Sequence, residues 1–345
     1  MNQVTRRRRA SDDRPDRRSR GRGVYVPGIV TVAVIVLGFV LPAVLSPDLM
    51  GLVIEGGIQA VFAISIGLLI RFLGMTSLGH AAFYGGAAYA MTIATIQFGV
   101  SLNVAAVIAM GVCVALAVII GAISVRVPGI GFALVTLGCA QAVFVFLTLT
   151  RFREITGSHD GLALDSGSFL WLSSIQLIGG DLWQIVWPVL VLSVLGTIVL
   201  GRSRYGILLL AIKDNEERVR FSGVRTFLPK LIAFTASGAL AGVAGVLALV
   251  RNSFVSPVDA DWFTTAYGVI AAMLGGIGSA IGPVVGAYLI VAVREVAGLG
   301  QLNLYLGVAF IVVIAFLPRG FMGIRLRPSR RPAAQSEQSE QENLS

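Results

Sequence analysis

"SRYGILLLAIKDNEERVRFSGVRT", residues 203–226, interrupts a chain that is otherwise dominated by long apolar runs. From Arg202 to Lys230 there are seven Lys/Arg and three Asp/Glu, and apolar runs resume on both sides. From Tyr205 to Ser222 the residues are good helix formers, with no proline among them. Leu208, Ala211, Ile212 and Val219 fall on one stripe, with Asn215 inside it, while Lys213, Asp214, Glu217 and Arg220 take the opposite side. Gly223 stands where a helix end favours a residue that accepts positive φ, and Pro229 blocks continuation. The spacing predicts one short amphipathic helix held between two apolar segments. Two readings stand on these residues alone: a solvated loop that supplies positive charge, or a rigid mixed-charge helix that docks a partner protein.

The rest of the composition sets the class. Of 345 residues, 56% are hydrophobic and 13% charged, and the mean hydropathy is +0.84, which excludes a soluble globular domain. The net charge of +9 is concentrated outside the apolar runs: residues 1–23 carry nine Arg and three Asp, and residues 319–345 carry five Arg and three Glu. That distribution fits cytoplasmic flanks of membrane spans, so no nucleic-acid partner is expected. Cys113 and Cys139 both lie in apolar runs, and His80 and His159 have no zinc-ligand spacing, so neither a disulfide nor a metal is expected. The sequence contains no G-x-x-x-x-G-K-[ST] phosphate loop and no G-x-S-x-G elbow. No enzyme is expected, nor an ATP site or cofactor of the chain's own.

The apolar runs predict an all-α polytopic membrane protein of about ten transmembrane elements, at roughly 24–45, 49–70, 77–98, 103–125, 130–149, 183–200, 230–250, 263–276, 280–297 and 302–317. Residues 1–23 and 318–345 lack apolar periodicity and read as disordered tails around a transmembrane domain, 24–317. The run from Val24 to Leu45 is long for a signal segment and reads as a retained first span. Basic flanks place both termini, Arg71, Arg126 and the loop 201–229 in the cytoplasm, with the loop 150–182 outside. An even number of crossings requires 263–276 to cross, and its length suits a broken or half helix. Gly238-x-x-x-Gly242 and Gly278-x-x-x-Gly282-x-x-x-Gly286 read as helix-packing faces.

Polar groups inside apolar runs are costly, which makes them functional candidates. Ser77, His80 and Tyr84 share one predicted helical face and either line a polar path or fix helix packing. Thr136 belongs to the same substrate-path candidates, with a backbone-bonded hydroxyl as its alternative. Glu55 is the carboxylate placed inside a span, protonated, paired or near the interface.

Several segments, in order, resemble one family. "YGILLLAIKDNEERVRFSGV" resembles the cytoplasmic coupling loop of branched-chain amino acid ABC transporter permeases of the LivM type. "GMTSLGHAAFYGGAAYA" (74–90), "VPGIGFALVTLG" (127–138), "KLIAFTASGALAGVAG" (230–245), "MLGGIGSAIGPVVGA" (273–287) and "FLPRGFMGI" (316–324) are similar to other family motifs. The resemblance implies one permease subunit of an ATP-driven, binding-protein-dependent importer in a bacterial inner membrane. Its implied partners are two ATP-binding subunits that carry ATP and Mg, a second related permease and an extracytoplasmic substrate-binding protein. Ala211, Ile212, Lys213, Asp214, Asn215, Glu216, Glu217, Arg218 and Gly223 would then dock in an ATPase cleft. "REITGSHDGLAL" (153–164) resembles the family's Thr-Gly-Gly-x-x-Gly-Leu outer loop at Thr156, Gly157 and Gly161, with Ser158 in place of the second glycine. The implied substrates are leucine, isoleucine and valine; urea or short amides share the motifs, and a self-powered secondary transporter is the more distant alternative.

Overall fold

The computed structural model describes residues 38–297, apart from 40, 43, 165–166, 174–175 and 177–179. Contacts group the chain from Ser46 onward into one unit and residues 1–45 into another. The expected span 24–45, apart from a few helical residues, and the expected element 302–317 lie outside the described residues, as do both tails. Among the described residues, ten helices of six residues or more follow in order: α1 (Pro47–Leu73), α2 (His80–Phe98), α3 (Leu102–Ser124), α4 (Ile130–Thr148), α5 (Trp183–Arg202), α6 (Arg204–Asp214), α7 (Glu216–Phe221), α8 (Phe227–Asn252), α9 (Trp262–Gly275) and α10 (Gly282–Ala297). Strands β1 (Leu162–Ala163) and β2 (Phe254–Val255) pair antiparallel, with Leu162 opposite Val255.

Among the described helices, α1, α3, α4, α5 and α8 are long and apolar enough to cross a membrane. At 14 residues α9 is about 21 Å long, well short of a hydrocarbon layer of about 30 Å. Burial sorts the spans. The most apolar stretches of α1 and α8 are 72% and 61% buried, whereas those of α3, α4 and α5 are only 28%, 22% and 28% buried. Such helices, apolar yet exposed to this degree, suit lipid or another membrane chain rather than water. So α1 and α8 form the centre, with α2, α9 and α10 packed on them.

Between α1 and α2 the chain is non-helical from Gly74 to Gly79, and α2 begins at His80 deep in the core. Ser77 therefore precedes the helix and does not share a helical face with His80 and Tyr84. The freed backbone donors are met by side chains: Thr136 Oγ1 accepts from Leu78 N–H (3.1 Å), Thr265 Oγ1 from Ala81 N–H (2.8 Å) and Ser77 Oγ from Gly79 N–H (3.2 Å). Irregular backbone survives among apolar helices only when such partners exist.

Close helix approach rests on glycine. A Cβ on Gly242 would lie 2.4 Å from Cys113 Sγ and one on Gly238 would lie 2.9 Å from the Ala117 Cβ, so this face of α8 packs on α3 as its spacing predicts. Gly282 and Gly286 touch the backbone of α9 and the turn after it, but Gly278 has nothing within 4 Å and lies outside the packing face. The tightest contact of α8 with α2 is at Gly245, where a Cβ would sit 2.0 Å from the Tyr84 carbonyl oxygen. Gly245→Ala is expected to destabilise the purified chain by about 1–3 kcal/mol in thermal unfolding. Gly111→Ala, with open space around it, is expected to leave the transition unchanged.

Candidate functional site

The charged loop is not one helix. Asn215 adopts an extended backbone (φ −160°, ψ 95°) and its Oδ1 accepts the Arg218 N–H at 2.8 Å, which caps α7 and ends α6. The expected continuous helix from Tyr205 to Ser222 is thus two helices with a bend. The pattern was readable: Asn followed by Glu216 and Glu217 is a helix start, since a short acceptor caps the first turn and acids favour its positive end. Ser203 caps α6 in the same way, taking the Gly206 N–H at 3.0 Å. The buried stripe of α6 is Gly206, Leu209 and Ile212, so Leu208 is only half-buried and Ala211 is exposed. Gly223 has φ 86°, as a helix stop requires. Pro229 does not delay the next span; it lies in the first turn of α8, where its missing N–H costs nothing.

Three ties hold this bent pair to the central helices. Lys213 Nζ donates to the carbonyls of Arg71 (3.0 Å) and Ile70 (3.4 Å), capping the end of α1 with a cation where the helix dipole favours one. Glu216 Oε1 pairs with Lys230 Nζ at 2.7 Å and accepts the Thr226 hydroxyl at 2.7 Å, joining α7 to the start of α8. Tyr205 Oη donates to the Pro229 carbonyl at 2.5 Å. Burial pushes the Glu216 carboxyl up, but hydrogen bonds from Lys230 and Thr226 and the charges of Lys230 and Arg220 outweigh it and hold it below the ordinary value of 4.5. Lys230 and Thr226 are buried, whereas Asp214, Glu217 and Arg218 are exposed. Phe221 is 91% exposed at the end of α7. Beside it, a hollow of about 520 Å³ is lined by Arg126, Arg220, Arg225 and Lys230, with Glu216 as its acidic group.

Of the substrate-path candidates, Ser77, His80 and Thr136 are wholly buried and bonded to protein atoms. Ser237 Oγ donates its single hydrogen to the Ser65 carbonyl (2.6 Å), so it accepts from His80 Nε2–H (2.7 Å). His80 Nδ1 then accepts the Ser77 hydroxyl at 3.0 Å. Neutral imidazole of this tautomer leaves no member of the chain unpaired, and it ties α1, α2 and α8 together. Thr136 Oγ1 donates to the Ala133 carbonyl at 2.9 Å while accepting from Leu78. Tyr84 borders a cavity, together with Glu55. Glu55 is paired: it accepts a short hydrogen bond from Arg251, whose other nitrogen donates to the Gly51 carbonyl at 2.9 Å. Arg251 and Ser237 were not foreseen as partners, because sequence separations of 196 and 157 residues carry no local signal.

In the loop 153–164 Thr156 is buried, Gly157 and Gly161 have φ 71° and 73°, and a Cβ on Gly157 would lie 2.0 Å from the Gly161 carbonyl oxygen. Ser158 keeps φ 51°, a conformation that glycine takes more cheaply. Its hydroxyl donates to the Thr148 carbonyl at 2.7 Å, so the departure from glycine preserves the turn. Through β1 the loop is fastened to β2, between α8 and α9.

A helical bundle with broken elements, apolar outer helices and a charged, anchored surface loop defines a membrane permease component. The family model described as "Branched-chain amino acid transport system / permease component" matches residues 49–317, and the chain belongs to that family. It is 26% identical over 337 residues to the high-affinity branched-chain amino acid transport system permease protein LivM of Escherichia coli K12, covering 89% of this chain and 78% of that protein. The Salmonella typhimurium LivM is 25% identical over 327 residues, covering 87% and 75%. The autoinducer 2 import system permease protein LsrC of Yersinia enterocolitica is 30% identical over 179 residues, covering 50% and 46%. No solved structure matches the chain.

The Glu216–Lys230 tie gives a test. Because the carboxyl's folded pKa lies below its ordinary value, the tie is intact above about pH 4.5 and lost as pH falls through the lowered value. Glu216→Lys is expected to raise hydrogen exchange over residues 216–226 about tenfold at pH 7, and the swap Glu216→Lys with Lys230→Glu to restore most of the protection. Wild-type protection over the same residues, corrected for intrinsic rates, is expected to disappear on acidification below that window.

Proposed function

We propose that this chain is a permease subunit of an ATP-driven importer of branched-chain amino acids, fed by an extracytoplasmic binding protein. The observation that carries the reading is the bent α6–α7 pair. It is exposed on its charged side and at Phe221, yet bonded to the end of α1 and the start of α8. Large exposed aromatics beside a rigid charged surface suit a protein interface. The partners are two ATP-binding subunits, which hold ATP and Mg, and a second related permease. Closure of an ATP-binding subunit on Asp214, Glu217, Arg218 and Phe221 would displace α6 and α7 as a body. Lys213 would pass that displacement to α1, and Glu216 to α8. The bacterial inner membrane is the proposed location, with this loop and both termini in the cytoplasm. Branched-chain amino acids are preferred as cargo because the LivM relatives align along most of the chain, whereas the LsrC relative aligns over half.

Uptake of labelled leucine by cells with and without this chain, before and after ATP depletion, tests the proposal. Uptake lost on deletion and on depletion is the expected outcome. Uptake that survives ATP depletion but collapses with an ionophore would replace the mechanism by ion coupling. Loss of urea or autoinducer 2 uptake, with leucine untouched, would replace the cargo.

A further inference from the structure

A cavity of about 320 Å³ opens between α1, α9, α10 and the turn Pro257–Ala260. That volume is at the small end of the range for small-molecule sites. Glu55, Asp259 and Arg294 border it, and their charges are not equivalent. Glu55 is spent: Oε1 accepts from Gln59 (3.2 Å) and Oε2 from Arg251. Asp259 commits only Oδ2, which takes the Ser256 N–H at 2.8 Å and the Ser256 hydroxyl at 3.4 Å. Arg294 makes no hydrogen bond or ion pair among the described residues, and it does not pair with Asp259. Two charges of opposite sign therefore face one cavity without bridging it. The remaining wall mixes polar groups, Gln59, Tyr84 and Asn252 among them, with apolar Ala287, Ile290 and Val291.

Arg294 is exposed and Asp259 half-buried, so each can meet a solute that enters the cavity. A lone cation or anion would satisfy one of these groups and repel the other. A neutral amide could hydrogen-bond to both, but only a zwitterion brings a full opposite charge to each. We propose that this cavity holds an α-amino acid as its zwitterion, with the carboxylate on Arg294, the ammonium on Asp259 and an apolar side chain against Ala287, Ile290 and Val291. The importer reading above supplies the cargo class; the cavity and its two unbridged charges stand apart from it.

The test reads occupancy, without ATP or transport. In membranes from cells expressing the full chain with Cys113 and Cys139 changed to Ala, Thr264→Cys places a thiol on the cavity wall for a small methanethiosulfonate reagent. Leucine at about 10 mM is expected to slow labelling about fivefold or more, as mass action requires for a millimolar site. Two analogues that each lack one charge, 4-methylpentanoate and 3-methylbutylamine, are expected to change the rate less than about twofold. Arg294→Gln should abolish leucine protection and Arg294→Lys should keep part of it. Val258→Cys, a second wall position, should repeat the pattern. Equal protection by leucine and both analogues, or none by leucine at either position, overturns the proposal. Protection without ATP-dependent leucine uptake would sink the importer and leave the site.

Discussion

In a lipid layer no water reaches a free N–H or C=O, so each break in a helix must be repaired by the protein itself. Here the repair is made by hydroxyl groups. Thr136, Thr265 and Ser77 take the donors freed where α2 starts, and Ser237 and His80 link that start to α1 and α8. The polar residues that stand out in these apolar runs are therefore largely claimed by the backbone. Without them the segment 74–79 could not enter the core as irregular chain, and the packing of α8 on α2 at Gly245 would have nothing to register against.

Helix α8 connects the two places where charge gathers. Lys230 pairs with Glu216 near its start and Arg251 with Glu55 near its end. Twenty-one residues of helix separate them, about 31 Å, close to the thickness of a hydrocarbon layer. That spacing suits the two boundaries of a span, where desolvation is milder than at the centre. Asn252, the last residue of α8, borders the cavity that holds Asp259 and Arg294. A displacement of the charged loop would reach that cavity along one continuous helix, with Ser237 as its lateral contact to α1 and α2.

The positions of the helices were legible because apolar runs between Gly, Pro and charged residues mark membrane elements plainly. Expected 103–125, 130–149 and 183–200 are found as Leu102–Ser124, Ile130–Thr148 and Trp183–Arg202. The short element expected at 263–276 is α9, Trp262–Gly275, and its length still falls short of a full crossing. Where reading failed, a local rule lost to a capping bond or to tertiary contact. Asn215 looked like part of a stripe but caps α7, and Ser77 looked helical but sits before α2 because its hydroxyl serves Gly79 and His80. The ion pairs of Glu55 and Glu216 were out of reach for a different reason. Their partners belong to other elements, and a period of 3.6 residues says nothing about which helix lies alongside.

The central claim is that the bent, anchored loop is a docking surface for ATP-binding subunits, and purification of the tagged chain in mild detergent tests it most directly. Wild-type chain is expected to bring down an ATP-hydrolysing subunit, and Phe221→Asp to lose it. That substitution alters a side chain that is 91% exposed and leaves the Lys213 and Glu216 ties in place. Retention of the subunit by the variant, or its absence from the wild-type preparation, would contradict the account.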